Sequence, residues 1–164
     1  MMALLLPTKS PTADSITANV GLVEYVTLRV AGQLFGLPIR VVHEVFTPQH
    51  LARVPRAPSV IKGLLNLRGR VVTALCLREI LGLPSAAEGT STMAISVESR
   101  GEPFALLIDE IGDVKRLAPS ALEANPMHLT PAWQALSLGV YRLDDVLLVV
   151  LDLDALTIAT ANAA

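Results

Sequence analysis

Residues able to do chemistry are few in this chain, and their spacing does not favour it. Cys76 is the only thiol, and it lies inside the apolar run Val71-Val72-Thr73-Ala74-Leu75-Cys76-Leu77. A reactive cysteine wants electropositive, partly exposed surroundings, so Cys76 reads as a buried packing residue and argues against a thiol enzyme. The histidines, His43, His50 and His128, lack close metal-ligand spacing. A single cysteine excludes a disulfide framework and a multi-cysteine zinc site. Asp109 and Glu110 are adjacent; on a strand they point to opposite faces, whereas an acid/base pair must converge on one site. They read as a solvated strand end. Neither GxxxxGK[ST] nor GxGxxG occurs. The expectation is a non-enzyme without cofactor or metal.

The segment that stands out is Val60-Ile61-Lys62-Gly63-Leu64-Leu65-Asn66-Leu67-Arg68-Gly69-Arg70-Val71-Val72. Gly63 and Gly69 allow backbone angles closed to other residues. Asn66 can hydrogen-bond local backbone and hold a turn. Arg68 can present a planar five-donor group at the turn's edge. The bland alternative is a structural turn with a solvated arginine.

The elements that must position this frame read as strands. Residues 22–30 alternate with a period of two, Ala31-Gly32 makes a tight turn, and Gln33 to Leu37 returns. Pro38 suits the start of a short helix, which would set Ile39, Val42, Val45 and Phe46 on one face. Residues 47–62 carry Pro48, Pro55 and Pro58 and read as a surface connection. Arg70 to Leu77 reads as a buried strand, and 82–90 as a linker. Met93 to Val97, a turn at Arg100-Gly101, and Pro103 to Ile108 then repeat the first hairpin. At an offset of 69, Phe35 matches Phe104, Leu37 Leu106, Ile39 Ile108, Val42 Ile111, Glu44 Asp113 and Val45 Val114. At an offset of 76, Gly63 matches Gly139, Leu75 Leu151 and Leu77 Leu153. Two similar small β units result. Each is too small to be very stable alone, so they should share an apolar interface. Residues 1–20 read as a flexible tail, 21–158 as one domain with an internal boundary near 82–92, and 159–164 as a second tail.

Composition narrows the class. Of 164 residues 52% are hydrophobic and 17% charged, and mean hydropathy is +0.53. Disorder is excluded. No window approaches the roughly 20 apolar residues of a membrane span, and no export signal is read at the start, so a cytoplasmic protein is expected. The net charge of -2 divides unevenly: residues 1–78 hold 9 basic and 3 acidic residues, residues 79–164 hold 4 and 12. Between Glu44 and Glu79 lie Arg53, Arg56, Lys62, Arg68, Arg70 and Arg78 and no acid. Segment 53–78 therefore reads as a nucleic-acid site, a site for an acidic partner, or a solvated face. Residues 47–80 hold no Phe, Tyr or Trp, and single-strand binders need stacking platforms, which weakens the nucleic-acid reading.

The signature segment resembles that of the CheW family of bacterial chemotaxis coupling proteins, I-K-G-x-x-N-L-R-G followed by an apolar strand. The likeness runs upstream through Tyr25 to Leu28, Phe35-Gly36 and Val42-x-Glu44. It runs downstream through Ile108-Asp109-x-Ile111-x-Asp113-Val114 and a final strand from Val146 to Leu156, covering roughly residues 22–158.

The resemblance implies a mainly β fold of two packed five-stranded SH3-like β-barrels with short helices, each half supplying one barrel. It implies a non-enzymatic adaptor, monomeric when free, linking the cytoplasmic tips of chemoreceptors to the regulatory domain of the histidine kinase CheA. It implies no nucleic acid, no cofactor, and recruitment to the membrane only through receptors. The partner-binding residues it implies are Val42, Glu44, Gly63, Asn66, Arg68, Ile111 and Val114. Val42 and Ile111, partners in the repeat, would line an apolar groove at the seam between barrels, and Glu44 and Arg68 would form a rim ion pair. Two positions depart from the family's P-x-x-D-L pattern after the signature: Thr73 and Cys76 stand where Pro and Asp are common, while Asp152 keeps the acid in the second repeat.

Overall fold

The computed structural model of the chain describes residues 21–86 and 92–162. The expected tail at 1–20, part of the 82–92 boundary and residues 163–164 lie outside them. Ten strands form: β1 Val23–Val30, β2 Gln33–Pro38, β3 Val42–Phe46, β4 Ile61–Leu67, β5 Arg70–Cys76, β6 Met93–Ser99, β7 Glu102–Ile108, β8 Glu110–Leu117, β9 Ser137–Leu143 and β10 Val146–Leu151. Three helices accompany them: α1 Leu77–Ile80, α2 Pro131–Leu136 and α3 Leu153–Asn162. Among the described residues no helix is long and apolar enough to cross a membrane, and no group of three metal-ligating side chains is assembled.

One sheet has the order β8-β1-β2-β10-β9 and the other β3-β6-β7-β5-β4. Advancing every strand of the second by five positions gives the first. The repeat is therefore real, but the expectation that each half builds its own barrel is corrected. Hairpin β1–β2 joins the last three strands of the second half, and hairpin β6–β7 joins the last three of the first. The exchange is made by parallel pairings, β2 with β10 and β5 with β7. The matching turns agree in detail: Ala31 and Gly32 have φ of 51° and 82°, Arg100 and Gly101 53° and 80°.

The apolar excess follows from strands that are buried on both faces. Alternate side chains of β1 serve two cores. Val26, Leu28 and Val30 enter a cluster shared by both sheets, while Tyr25 enters a separate cluster with Leu34, Tyr141, Leu148 and Val150. Likewise Leu75 and Leu106 enter the shared cluster, whereas Val72, Ala74, Ala105 and Leu107 enter the interior of the second sheet. That second interior is filled by small residues and the first by a tyrosine pair. Tyr25 and Tyr141 meet edge to face at 5.4 Å, their hydroxyls 3.1 Å apart. Burial and the Tyr25 hydroxyl push the Tyr141 phenol above its ordinary value. Either Tyr25→Phe or Tyr141→Phe strands one buried hydroxyl and is expected to cost about 1–2 kcal/mol, the double substitution no more than either single one. Equilibrium urea unfolding of the four chains checks this.

Several local readings are corrected. Only Ile39–Val41 is helical after Pro38; Val42 onward is strand. Backbone pairing with β6 prevails there over the helical spacing of the apolar residues. Strand β10 stops at Leu151, where Asp152 accepts a bond from Ala155 N–H at 3.2 Å and so caps α3. Residues 159–162, read as tail, belong to that helix. Cys76, the repeat counterpart of Asp152, is half-buried rather than buried and gives α1 no side-chain cap. Val71 is 65% exposed although its neighbours are core.

Asp109 is no solvated strand end. Its carboxylate accepts two bonds from Arg78, Nε at 3.1 Å and Nη2 at 2.6 Å, and a third from Ala31 N–H at 2.8 Å. Arg78 also donates to Pro84 O at 2.7 Å. One clasp thus ties α1, the β1–β2 turn and the end of β7. Burial alone would raise the Asp109 pKa. The Arg78 and Ala31 hydrogen bonds and the guanidinium charge outweigh it and hold the group below the ordinary carboxylate range.

Candidate partner-binding site

The signature segment folds into the β4–β5 hairpin. Its turn places Arg68 at φ 55° and Gly69 at φ 84°, and Asn66 Oδ1 accepts the Gly69 N–H at 2.8 Å. The expected turn role of Asn66 is therefore present. Arg68 reaches from the tip to Glu44 on β3, Nη2 to Oε2 3.0 Å. Strands β3 and β4 are the two outer strands of their sheet, so this bridge spans the sheet's two edges and shows it curled on itself. Chain leaving β3 closes the same gap through a bridge between Ala52 and Leu64. The other sheet is closed in the same way by Glu123 and Val140, with Arg142 3.2 Å from Glu123.

Gly63 lies at that closure. It is buried with φ 154°, and a Cβ there would sit 2.6 Å from the Ala52 carbonyl oxygen. Gly139 repeats this with φ 146° and a Cβ 2.6 Å from Glu123 O. Gly63 therefore works beneath the surface that Arg68 and Glu44 present. Arg68 is 80% exposed and Glu44 27%; such a pair contributes about 0–1 kcal/mol to stability and leaves most of the guanidinium's donors open.

The apolar candidates are placed apart. Val42 pairs with Val97 on β6, and a bulge before Glu44 leaves His43 without a strand partner; His43 Nε2 lies 3.7 Å from Glu98. Ile111 pairs with Leu28, and Val114 with Val26. Val42 and Ile111 both pack half-buried on the shared core, yet they stand on outer strands of different sheets. No strand pairing brings them together as a groove. Val114 is 49% exposed on β8, and Ile39 and Val45 are 41% and 38% exposed around Val42. Val71, beside the Arg68 turn, adds a further exposed apolar side chain. Residues Ile39, Val45 and Val71 were missed as surface residues because apolar alternation marks faces without saying which face solvent reaches.

The basic run is not a free cationic stripe. Arg68 pairs with Glu44, Lys62 lies 3.6 Å from Glu79, and Arg78 is clasped by Asp109. Acids distant in sequence neutralise three of the six cations, which disfavours phosphate-backbone binding.

Comparison with known proteins follows the same outline. A family model described as the CheW-like domain matches residues 24–160. A probable chemotaxis protein CheW of Rhizobium etli is 24% identical over 146 residues, 89% of this chain and 94% of that protein. The chemotaxis protein CheA of Salmonella typhimurium is 26% identical over 108 residues, 65% of this chain but 16% of that protein. The crystal structure of scaffolding protein TtCheW from Thermoanaerobacter tengcongensis aligns with a TM-score of 0.75 at 27% identity, covering 82% of this chain and 92% of that one.

Proposed function

The chain belongs to the CheW-like domain family, and from that premise we propose that it is a non-enzymatic chemotaxis scaffold coupling receptors to the kinase CheA. The match over residues 24–160 supports the scaffold reading. A similar segment within a CheA protein supports pairing between like folds, with this chain seated against the kinase's corresponding domain. The structural observation that carries the site is the Arg68–Glu44 bridge, an exposed guanidinium fixed in place by a turn and an edge-spanning acid. Such a group supplies orientation and partner choice more than stability. Half-buried Val42 and Ile111, with exposed Val114, supply apolar contact for a receptor helical hairpin. The protein acts in the cytoplasm and reaches the membrane through receptor arrays.

Arg68→Ala is expected to weaken binding to a CheA regulatory-domain fragment about tenfold, a change of about 1.4 kcal/mol. Val42→Asp is expected to do the same for a receptor tip fragment. Titration calorimetry, with thermal melting to confirm folding, checks both. Binding by neither fragment at tens of micromolar would sink the assignment.

A further inference from the structure

A cleft of ≈ 440 Å³ opens beside α1, away from the Arg68 turn. Its floor is Leu51, Leu107 and Ile108, and its walls carry Arg53, Lys62 and Cys76. The volume lies within the range of small-ligand sites, which combine an apolar floor with a few convergent polar groups. The charges on the walls do not balance. Arg78 and Asp109 satisfy each other, and Lys62 faces Glu79 at 3.6 Å. Arg53 has no acidic partner within ion-pair distance among the described residues. In the second repeat the position of Cys76 is held by Asp152, so the first half lacks the acid that would offset this cation. One positive charge is left over beside an apolar floor.

We propose that this cleft binds a small organic monocarboxylate, the carboxylate held at its mouth by Arg53 and Lys62 and the hydrocarbon laid on Leu51, Leu107 and Ile108. A monoanion matches the single surplus charge. A dianion would meet Glu79 and Asp109, and a neutral alcohol would leave Arg53 without its counter-charge. Partial exclusion of water by the floor strengthens the ionic contact relative to an open surface. None of these residues belongs to the Arg68 and Val42 group, so this site and the scaffold reading stand or fall separately.

Cys76, the chain's only thiol, reports occupancy directly. The full chain is labelled with iodoacetamide, a neutral reagent, and the rate is read from the mass shift with hexanoate, hexan-1-ol or hexylammonium present. At ten times its dissociation constant, hexanoate is expected to leave about a tenth of the sites open and slow labelling about tenfold, saturably. The alcohol and the amine are expected to leave the rate unchanged. Arg53→Gln, which breaks no ion pair in the fold, is expected to abolish protection with thermal melting unchanged. Equal slowing by the alcohol, no saturable slowing, or protection that survives Arg53→Gln overturns the proposal. Should the native thiol resist labelling altogether, the Leu107 and Ile108 amide resonances replace it. Saturable shifts with hexanoate alone support the site, and their absence overturns it.

Discussion

Alanine at Gly63 is expected to cost the fold about 3 kcal/mol, read as a lowered midpoint in urea with little change in slope. Two effects add. The φ of 154° is strained for any residue with a Cβ, a cost of about 1–3 kcal/mol. The new methyl would also stand 2.6 Å from the Ala52 carbonyl oxygen. That oxygen cannot swing away, because it accepts Leu64 N–H at 2.8 Å in the bridge that closes the sheet's edges. Gly139→Ala should cost about as much, its Cβ facing Glu123 O, which accepts Val140 N–H at 2.9 Å. Gly69→Ala is the control: φ is 84° but nothing lies within 4 Å of the added carbon, so only the backbone term of about 1 kcal/mol applies. Equal losses at Gly63 and Gly69 would show that the close approach contributes nothing.

Breaking the Arg78–Asp109 clasp is expected to cost about 2–4 kcal/mol, since its side chains are 15% and 20% exposed and either partner left alone is a poorly hydrated charge. Arg78→Ala removes the Pro84 bond as well; Arg78→Lys keeps the charge without the fork and should fall between. The clasp also sets a pH dependence. The folded Asp109 pKa lies below the unfolded value of about 3.9. Its stabilisation is therefore complete above that value and is lost as pH falls through the lower folded one. Asp109→Asn should flatten the acid limb of the stability curve. A variant that melts like the parent at neutral pH, and is as acid-labile, would mean the clasp contributes nothing net.

Much of this was legible in the chain because it is local or periodic. The Ala31-Gly32 and Arg100-Gly101 turns, the Asn66 turn and the two offsets of the repeat are encoded within a few residues each, and the structure reproduces them. What escaped depends on residues far apart. Asp109 looks solvated until Arg78, 31 residues away, is placed against it. Cys76 looks buried because its neighbours are apolar, and only the three-dimensional cleft exposes it. The partner site was legible in part. Glu44, Asn66 and Arg68 converge as the spacing and the resemblance implied, whereas Val42 and Ile111 end on different sheets. Which hairpin joins which sheet is a long-range choice that alternation within a strand does not carry.

The exchange of hairpins between halves has a consequence for how the protein is made. Strand β2 finds its parallel neighbour in β10, more than 100 residues later. The β1–β2 hairpin therefore leaves the ribosome with one edge unpaired until the last strand emerges. The first half cannot complete a sheet during synthesis, because β5 also awaits β7. Folding is thus largely post-translational and dominated by distant contacts, the regime in which domains fold slowly and depend on protection from aggregation while they wait.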